Sequence, residues 1–429
     1  MESSAWPSEL FIFRGETPKA AQELMAKTRA VCAARNDEGK DSLKLRDLAL
    51  SLLDAHKDTP VHFAIVADNL ENLLASIDAA LAGDENPNVY PRKPLEGKVV
   101  FLFPGQGSQR VNMAADLFTF FPKTRRLLNA HPEYEPVIFP AVATTREEKK
   151  EQRAAITDTR NAQPLLGMVD LAIAELLCDL GIKADMLAGH SFGELAALCF
   201  AGVLPADDLP SLSQQRAEAV LRAVDTDPGR MAAVRTDRET LTHLLKDESA
   251  VWAANFNAPT QTVIAGASAE LKAFLTQLDA ANISWSELNV ACAFHSPLLT
   301  RAESLFAEVL QDKNLSEATL PVWSNTTASI YPSTPADIKK RLATHLVSPV
   351  RFVEEVEQMY AAGGRVFIET GPGSVLTGLV ERILNGREAL LIPTERATGN
   401  GLTYLLHALA RYVSSGRELL FTRLFEGRD

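Results

Sequence analysis

A pentapeptide of the form Gly-x-Ser-x-Gly, set between an apolar run and a helix-forming segment, constrains this chain more than any other feature. Residues 186–188 are apolar, and residues 189–193 read Gly-His-Ser-Phe-Gly. Strand, tight turn and helix in this order are typical of a nucleophile elbow, which exposes its serine at the positive end of the helix. A Cβ atom at Gly189 or Gly193 would collide with neighbouring backbone, so only glycine is expected to fit there. The pattern predicts Ser191 as a nucleophile.

Length and composition narrow the classes of protein to which the chain can belong. With 429 residues, the chain is long enough for two to three domains. Its net charge of −12 argues against nucleic acid as a main partner, because phosphate binding needs clustered Lys and Arg. No run of about 18 apolar residues is present, and the first residues lack the pattern of a secretory signal. We therefore expect no membrane span and a cytoplasmic location.

The cysteines favour a reducing compartment. Cys32, Cys178, Cys199 and Cys292 form no Cys-x-x-Cys pair and do not have the spacing of a zinc finger, so no metal site is predicted. Four cysteines in a chain of this length are typical of a reduced protein. We expect each of them to be buried as a small hydrophobic residue.

Strand and helix patterns divide the chain into four predicted regions. An N-terminal α+β region ends in a stretch at residues 83–93 that is rich in Gly, Pro, Asn and Asp and is typical of a linker. A later segment follows the order β-α-β-β-α-β, which is the ferredoxin-like split unit, inserted into a larger α/β region. The predicted limits are 1–95 for the N-terminal region, 96–228 with 293–395 for the larger region, 229–292 for the insert, and 396–429 for a C-terminal helix and tail.

Four further features are candidates for a site, and each also has an ordinary structural interpretation. The glycine-rich loop at 104–109 follows an apolar strand and leaves N–H groups free for a ligand such as phosphate, although a P-loop ending is missing. His295, at a domain junction, is either the general base for Ser191 or a structural residue. Arg216 is either functional or a solvated residue on a helix. Gln163, at the start of an apolar helix, is either a capping residue or a site residue.

Six short motifs follow one another along the chain: Pro104-Gly105-Gln106-Gly107-Ser108-Gln109, Gly189-His190-Ser191-Phe192-Gly193, Gln215-Arg216, Asn257-x-Pro259, Ala293-Phe294-His295-Ser296 and Gly371-Pro372-Gly373. Together they resemble one family, the malonyl-CoA:acyl carrier protein transacylases, and within it the acyltransferase domains of type I polyketide and fatty acid synthases. Residues 1–95 resemble the linker between a ketosynthase and its acyltransferase, so the chain is expected to be a piece of a larger synthase. Residues 107–113 and 420–428 resemble iterative synthases of the polyunsaturated fatty acid or enediyne type.

The resemblance implies a fold, a mechanism and partners. The fold is an α/β-hydrolase-like large subdomain with an inserted ferredoxin-like small subdomain and an N-terminal α+β linker domain. Ser191 would attack malonyl-CoA and His295 would take its proton. The acyl group would then pass to the phosphopantetheine thiol of an acyl carrier protein by ping-pong kinetics. A ketosynthase domain of the same synthase is the other implied partner, and no bound cofactor is implied.

The same resemblance implies roles for the remaining candidates. Arg216 would hold the malonyl carboxylate in a bidentate pair. Phe294 would favour malonyl, because a ring there leaves little room for an α-methyl group. The other implied roles are an oxyanion hole made by the N–H groups of Gln106 and Phe192, a pocket lining that includes Gln163, His190 and Asn257, and a carbonyl of His345 that orients His295.

Two other functions remain open from the sequence. An esterase or thioesterase of the α/β-hydrolase type would share the elbow, but it would need an acid between the serine and a late histidine, with an HGGG-like loop. Neither feature is evident. A catalytically silent docking module would not need Ser191, His295 and Arg216 together.

Overall fold

The computed structural model describes residues 6–37, 44–224, 226–245 and 250–428. Within these residues the strands form three sheets, of three, six and four strands. Each sheet falls in one of the three strand-containing regions expected from the sequence. The limits of those regions, at residues 95, 228, 292 and 395, stay predictions.

The first sheet is antiparallel, in the order β1-β2-β3. Its third strand is a correction, because the sequence indicated only a linker at 83–93. The strand is short, and Pro91 is tolerated there because it lies at a sheet edge. The elements of this unit are β1 (Glu9–Arg14), α1 (Pro18–Asp37), α2 (Leu45–Asp54), β2 (Val61–Ala67), α3 (Leu70–Ala82) and β3 (Val89–Pro91).

The second sheet carries the elbow. Its order is β11-β10-β5-β4-β12-β13, and all neighbours are parallel except the edge strand β11. Residues 100–103 of β4 are fully buried, as expected of a strand covered on both faces. Its elements before the insert are β4 (Lys98–Phe103), α4 (Ala115–Phe120), α5 (Arg126–Ala130), α6 (Glu135–Ile138), α7 (Arg146–Thr157), α8 (Thr159–Asp179), β5 (Met186–Gly189), α9 (Gly193–Phe200) and α10 (Leu209–Ala223).

The third sheet forms the inserted unit. Its antiparallel order β7-β8-β6-β9, with a helix after β6 and another after β8, confirms the predicted ferredoxin-like arrangement. A parallel bridge between Asn255 and Val350 joins it to the larger unit. The elements are β6 (Arg230–Val234), α11 (Arg238–Leu244), β7 (Val251–Ala258), β8 (Gln261–Gly266), α12 (Ser268–Ala280) and β9 (Trp285–Glu287).

The chain then returns to the second sheet and ends against the first. Helix α17 packs on β1 and β2, so the C-terminal helix covers the N-terminal sheet. The remaining elements are α13 (Thr300–Gln311), β10 (Val322–Ser324), β11 (Ser329–Ile330), α14 (Pro335–His345), α15 (Phe352–Ala361), β12 (Gly364–Glu369), α16 (Val375–Leu384), β13 (Leu390–Pro393) and α17 (Gly401–Ser414).

The cysteines differ from expectation at one position. Cys178 is exposed, while Cys32, Cys199 and Cys292 are buried. Cys178 lies in the last turn of α8, beside the polar residue Asp179, where the helix turns one side to solvent. The expectation that every cysteine is buried was therefore wrong at Cys178.

Candidate active site

The turn after β5 has the geometry of a nucleophile elbow. Ser191 lies between β5 and α9 with a φ of +52°, in the left-handed region that few residues other than glycine adopt. A Cβ atom at Gly189 would lie 2.0 Å from the carbonyl carbon of Gly193, and one at Gly193 would lie 2.0 Å from the carbonyl oxygen of Phe103. The prediction that only glycine fits at both positions is confirmed.

Ser191 forms a hydrogen bond with His295. Its Oγ lies 2.7 Å from His295 Nε2, while His295 Nδ1 lies 3.1 Å from the carbonyl oxygen of His345 and 3.0 Å from that of Ser348. Because carbonyls only accept hydrogen bonds, Nδ1 carries the proton and the Nε2 lone pair faces the serine hydroxyl. Ser348 is an acceptor that the sequence did not indicate.

Burial keeps the imidazole of His295 neutral. The residue is 3% exposed, and burial, together with the positive charge of Arg216 and the nearby His190, lowers the pKa of His295 to about 3. A neutral imidazole is the form that can accept a proton. The pair therefore has the geometry and the protonation state of a nucleophile with its general base.

Ser191 and His295 line a cavity of about 230 Å³. The cavity lies beyond the carboxyl ends of β4 and β5, where parallel sheets usually bind their ligands. Gln163 and His345 do not line the cavity but contact residues that do. The predicted site residues that line it in addition to Ser191 and His295 are Gln106, His190, Phe192, Arg216, Asn257 and Phe294.

Arg216 brings a buried positive charge to this cavity. The residue is 3% exposed, and its Nη1 donates a hydrogen bond of 3.0 Å to Gln163 Oε1. Its Nη2 is buried without a hydrogen-bond partner, and no carboxylate in the described part of the chain forms an ion pair with it. Burial lowers the pKa of Arg216 to about 10, which still leaves it charged at neutral pH. A buried and unpaired cation is costly unless an anion joins it.

A chain of side-chain hydrogen bonds links Arg216 to the glycine-rich loop. Gln163 Nε2 donates to Thr159 Oγ1 over 2.8 Å, and Thr159 Oγ1 donates to Gln106 Oε1 over 2.9 Å. Thr159 is a residue of this site that the sequence did not indicate, because the apolar pattern places Gln163 at the start of the helix. The helix begins at Thr159, which lies one turn before Gln163 on the same face.

Two backbone N–H groups border the cavity close to the serine. The N–H groups of Gln106 and Phe192 have no acceptor among the described residues, whereas Ser191 N–H donates to Asn325 Oδ1 over 2.7 Å. Free N–H groups at the start of a helix suit a developing negative charge. The elbow thus leaves the N–H of Phe192, not that of the nucleophile itself, for this purpose.

His190 connects the elbow to the inserted unit. Its Nε2 donates a hydrogen bond of 2.7 Å to Asn257 Oδ1 in β7, and its ring meets that of Phe352 edge to face. Burial lowers the pKa of His190, so the ring is neutral at pH 7. Phe294, which is 9% exposed, takes part of the cavity volume next to His295.

Among the residues that the structure describes, no group of His, Cys, Asp and Glu side chains is arranged to hold a metal ion. In the same residues, none of the helices has both the length and the apolar character that a membrane span requires.

Comparison with known proteins relates this geometry to a family. A family model described as the acyl transferase domain matches residues 100–418. The chain is 36% identical over 293 residues to the malonyl CoA-acyl carrier protein transacylase of Bacillus subtilis (strain 168), a match that covers 67% of this chain and 90% of that protein. It is 32% identical over 308 residues to one polypeptide of the polyunsaturated fatty acid synthase of Thraustochytrium sp., covering 67% of this chain but 11% of that polypeptide.

A solved structure extends the similarity to the N-terminal unit. The acyltransferase domain from the second module of the salinomycin polyketide synthase is 27% identical, with a TM-score of 0.75 over 97% of this chain and 96% of that chain. Because the match extends over nearly the whole chain, it agrees with the predicted fold class. Because the family model matches well over half of the chain, this protein belongs to the acyl transferase domain family.

Proposed function

We propose that this acyltransferase moves a malonyl group from malonyl-CoA to the phosphopantetheine thiol of an acyl carrier protein, in polyketide or fatty acid biosynthesis. The unpaired, buried Arg216 at the cavity of Ser191 and His295 is the observation that carries the proposal. A malonyl thioester joins a reactive carbonyl to a free carboxylate, and that carboxylate would complete the hydrogen bonding of the guanidinium. The name of the Bacillus subtilis relative supports the same donor and acceptor.

The first half-reaction would form an acyl-enzyme. Ser191 Oγ attacks the thioester carbonyl while His295 Nε2 takes the hydroxyl proton, and the N–H groups of Gln106 and Phe192 stabilise the oxyanion. The C–S bond then breaks, and the proton on His295 leaves with the CoA thiol. The carbonyls of His345 and Ser348 hold the imidazole in position throughout.

The second half-reaction would reverse these steps with a new thiol. The phosphopantetheine thiol loses its proton to His295 and attacks the Ser191 ester, and the serine oxygen recovers that proton as it leaves. His190, Asn257 and Phe294 line the pocket around the acyl group in both steps, and Gln163 holds Arg216 by a hydrogen bond. Phe294 leaves little room for an α-methyl group, which favours malonyl over methylmalonyl.

We also propose that residues 1–95 join this domain to a ketosynthase domain of the same synthase. The similarity of the whole described chain to a polyketide synthase acyltransferase domain supports this arrangement. We assign the reaction to the cytoplasm, since the number and spacing of the four cysteines are typical of a protein in a reducing compartment.

Release of CoA, measured with and without an acceptor, tests the proposal against its alternatives. We expect CoA release from malonyl-CoA to depend on a phosphopantetheine-bearing acyl carrier protein and to be matched by malonyl-carrier formation. Rapid release without any acceptor would instead indicate an esterase or thioesterase. No release under either condition, from a folded protein, would favour a catalytically silent docking module.

A further inference from the structure

The elbow leaves two backbone groups without partners in the sheet. β5 ends at Gly189, and Ser191 turns away with a left-handed φ of +52°. The carbonyl of Gly189 is buried and the N–H of Ser191 is partly buried, and a backbone group removed from water without a hydrogen bond is costly. Something must therefore hold the turn in a conformation that the backbone itself disfavours.

One side chain bonds to both groups. Asn325 Oδ1 accepts a hydrogen bond of 2.7 Å from Ser191 N–H, and Asn325 Nδ2 donates one of 2.7 Å to the carbonyl oxygen of Gly189. Asn325 follows β10, the parallel neighbour of β5, in which Trp323 pairs with Ala188. The side-chain amide of Asn325 thus takes the place of the next backbone groups of β10, and it continues the hydrogen bonding between β10 and β5 past the end of β5.

Asn325 is itself fixed on all sides. It is fully buried, its Nδ2 donates a second hydrogen bond of 2.5 Å to Glu355 Oε2, and its backbone N–H donates to Glu194 Oε1. Its carbonyl accepts a hydrogen bond of 3.0 Å from the N–H of Arg351. These contacts define which end of the amide faces Ser191, and they leave the side chain one conformation.

We propose that Asn325 is a positioning residue for the acyl transfer described above, on which this inference rests. By binding the N–H of Ser191 and the carbonyl of Gly189, it fixes the two peptide planes that direct Ser191 Oγ to His295. It also occupies the nucleophile's own N–H, so that the N–H of Phe192 faces the developing oxyanion. Without these bonds the elbow would relax, and the serine would move out of line with its base.

A positioning role and an ordinary structural role for Asn325 predict different effects of its loss on the folded fraction and on the acylation rate. If Asn325 only satisfies buried polar groups, its loss lowers the fraction of folded protein and nothing else. If it positions Ser191, its loss slows acylation of the folded enzyme while binding of malonyl-CoA, which depends on Arg216, changes little. A displacement of about 1 Å at a reacting atom can slow a reaction about 100-fold.

The test compares Asn325→Leu and Asn325→Asp with Thr394→Val. The control removes a buried hydrogen bond of 2.7 Å from Thr394 Oγ1 to the carbonyl of Glu369. Thr394 follows β13, which is separated from β5 by two strands of the sheet. Single-turnover acylation of Ser191 by malonyl-CoA is followed by mass spectrometry, per folded molecule as judged by circular dichroism. The two readouts are the limiting rate constant and the half-saturating concentration.

We expect Asn325→Leu to lower the limiting rate about 100-fold and to change the half-saturating concentration less than about threefold. Asn325→Asp keeps the acceptor for Ser191 but, when ionised, loses the donor to Gly189. Its rate relative to wild type should therefore be intermediate and rise as the pH falls and the new carboxyl gains a proton. This second variant carries the test if the leucine variant does not fold.

Equal losses in the Asn325 and Thr394 variants would overturn the proposal, as would a loss confined to the half-saturating concentration. An Asn325→Asp variant with the pH profile of wild type would also overturn it. Failure of the wild-type enzyme to form any acyl-enzyme is a different result, because it contradicts the proposed function and not the role of Asn325.

Discussion

Among single residues, we expect the buried cation Arg216 to decide which acyl groups the cavity can accept. Arg216→Ala should lower the rate of Ser191 acylation by malonyl-CoA about 100-fold or more, since loss of one partner of a buried charge pair costs about 2–5 kcal/mol. Acylation by acetyl-CoA, which brings no carboxylate, should be kept or rise. Competition between the two substrates, read by the mass of the adduct, measures both effects.

Arg222→Ala is the matched control for this substitution. Arg222 lies on the same helix, α10, but its side chain is exposed and lies outside the cavity. We expect Arg222→Ala to keep the wild-type preference for malonyl-CoA over acetyl-CoA. Unchanged malonyl kinetics in Arg216→Ala would contradict the assignment of the carboxylate to this guanidinium.

The buried base should give the enzyme an unusual pH profile. Because the pKa of His295 is lowered to about 3, the neutral form persists from pH 8 down to pH 5. The second-order rate constant for Ser191 acylation should therefore stay nearly flat over that range. A histidine with an ordinary pKa of about 6.5 would instead lose about thirtyfold in rate by pH 5. Quenched-flow measurement of the adduct distinguishes the two, and an inflection near pH 6.5 would contradict the lowered pKa.

Some residues of the candidate site could be predicted from the sequence and others could not. Ser191 was evident from its motif, because the elbow is local in sequence. The helix pattern around Arg216 did not distinguish it from a surface arginine, since its burial depends on contacts with Gln163, which is 53 residues away, and only the family resemblance implied a role for it. Asn325 and Ser348 had no local signal at all, because their partners lie across the sheet or in another loop.

At the scale of elements, the two glycines of the elbow set how closely β4, β5 and α9 approach. A Cβ atom at Gly193 would meet the carbonyl oxygen of Phe103 at 2.0 Å, and backbone cannot move aside as a flexible side chain can. Gly193→Ala should therefore lower the melting temperature and abolish acylation of whatever protein remains folded. Thermal unfolding and adduct formation measure the two effects.

Gly378→Ala serves as the control at this scale. Gly378 lies inside α16, and a Cβ atom there would meet nothing within 4 Å. Alanine is better than glycine in a helix by about 0.5–1 kcal/mol, so this variant should be as stable as wild type or slightly more stable. Equal melting temperatures and equal acylation of the two variants would contradict the conclusion that a Cβ atom at Gly193 cannot be accommodated.

Element boundaries could be predicted wherever apolar periodicity was strong. Patterns of this kind predicted the ferredoxin-like unit and the strands that precede the glycine-rich loop and the elbow, but not the two-residue edge strand β11. They failed at β3, whose three residues lie among Gly, Pro and Asn, because pairing with β2 outweighs the local preference for a turn. The local sequence is therefore a poor guide to a strand that is short and lies at the edge of a sheet.

At the scale of the whole molecule, the C-terminal tail closes the N-terminal sheet. Arg428 forms an ion pair with Glu9, and their side chains are only 8% and 6% exposed. The guanidinium also lies 3.8 Å from the ring centre of Trp6. The sequence predicted only a tail here, because no local sequence pattern indicates a contact between residues that are 419 positions apart.

Arg428→Ala should destabilise the fold by about 3–5 kcal/mol, because it leaves Glu9 buried without its partner. Arg423→Ala is the control, since its ion pair with Glu426 is about half exposed and should contribute less than about 1 kcal/mol. Urea unfolding followed by tryptophan fluorescence measures both. Equal changes in the two variants would contradict the claim that the tail holds the N-terminal sheet.

The most direct test of the proposed acyl transfer is intact-protein mass spectrometry after brief incubation with malonyl-CoA, methylmalonyl-CoA and acetyl-CoA in competition. Ser191→Ala serves as the control that should show no adduct. We expect a malonyl adduct that maps to Ser191 and disappears when a phosphopantetheine-bearing acyl carrier protein is added. An adduct on another residue, or none on a folded enzyme, would contradict the assignment of Ser191 and His295 as the acyl-transfer pair.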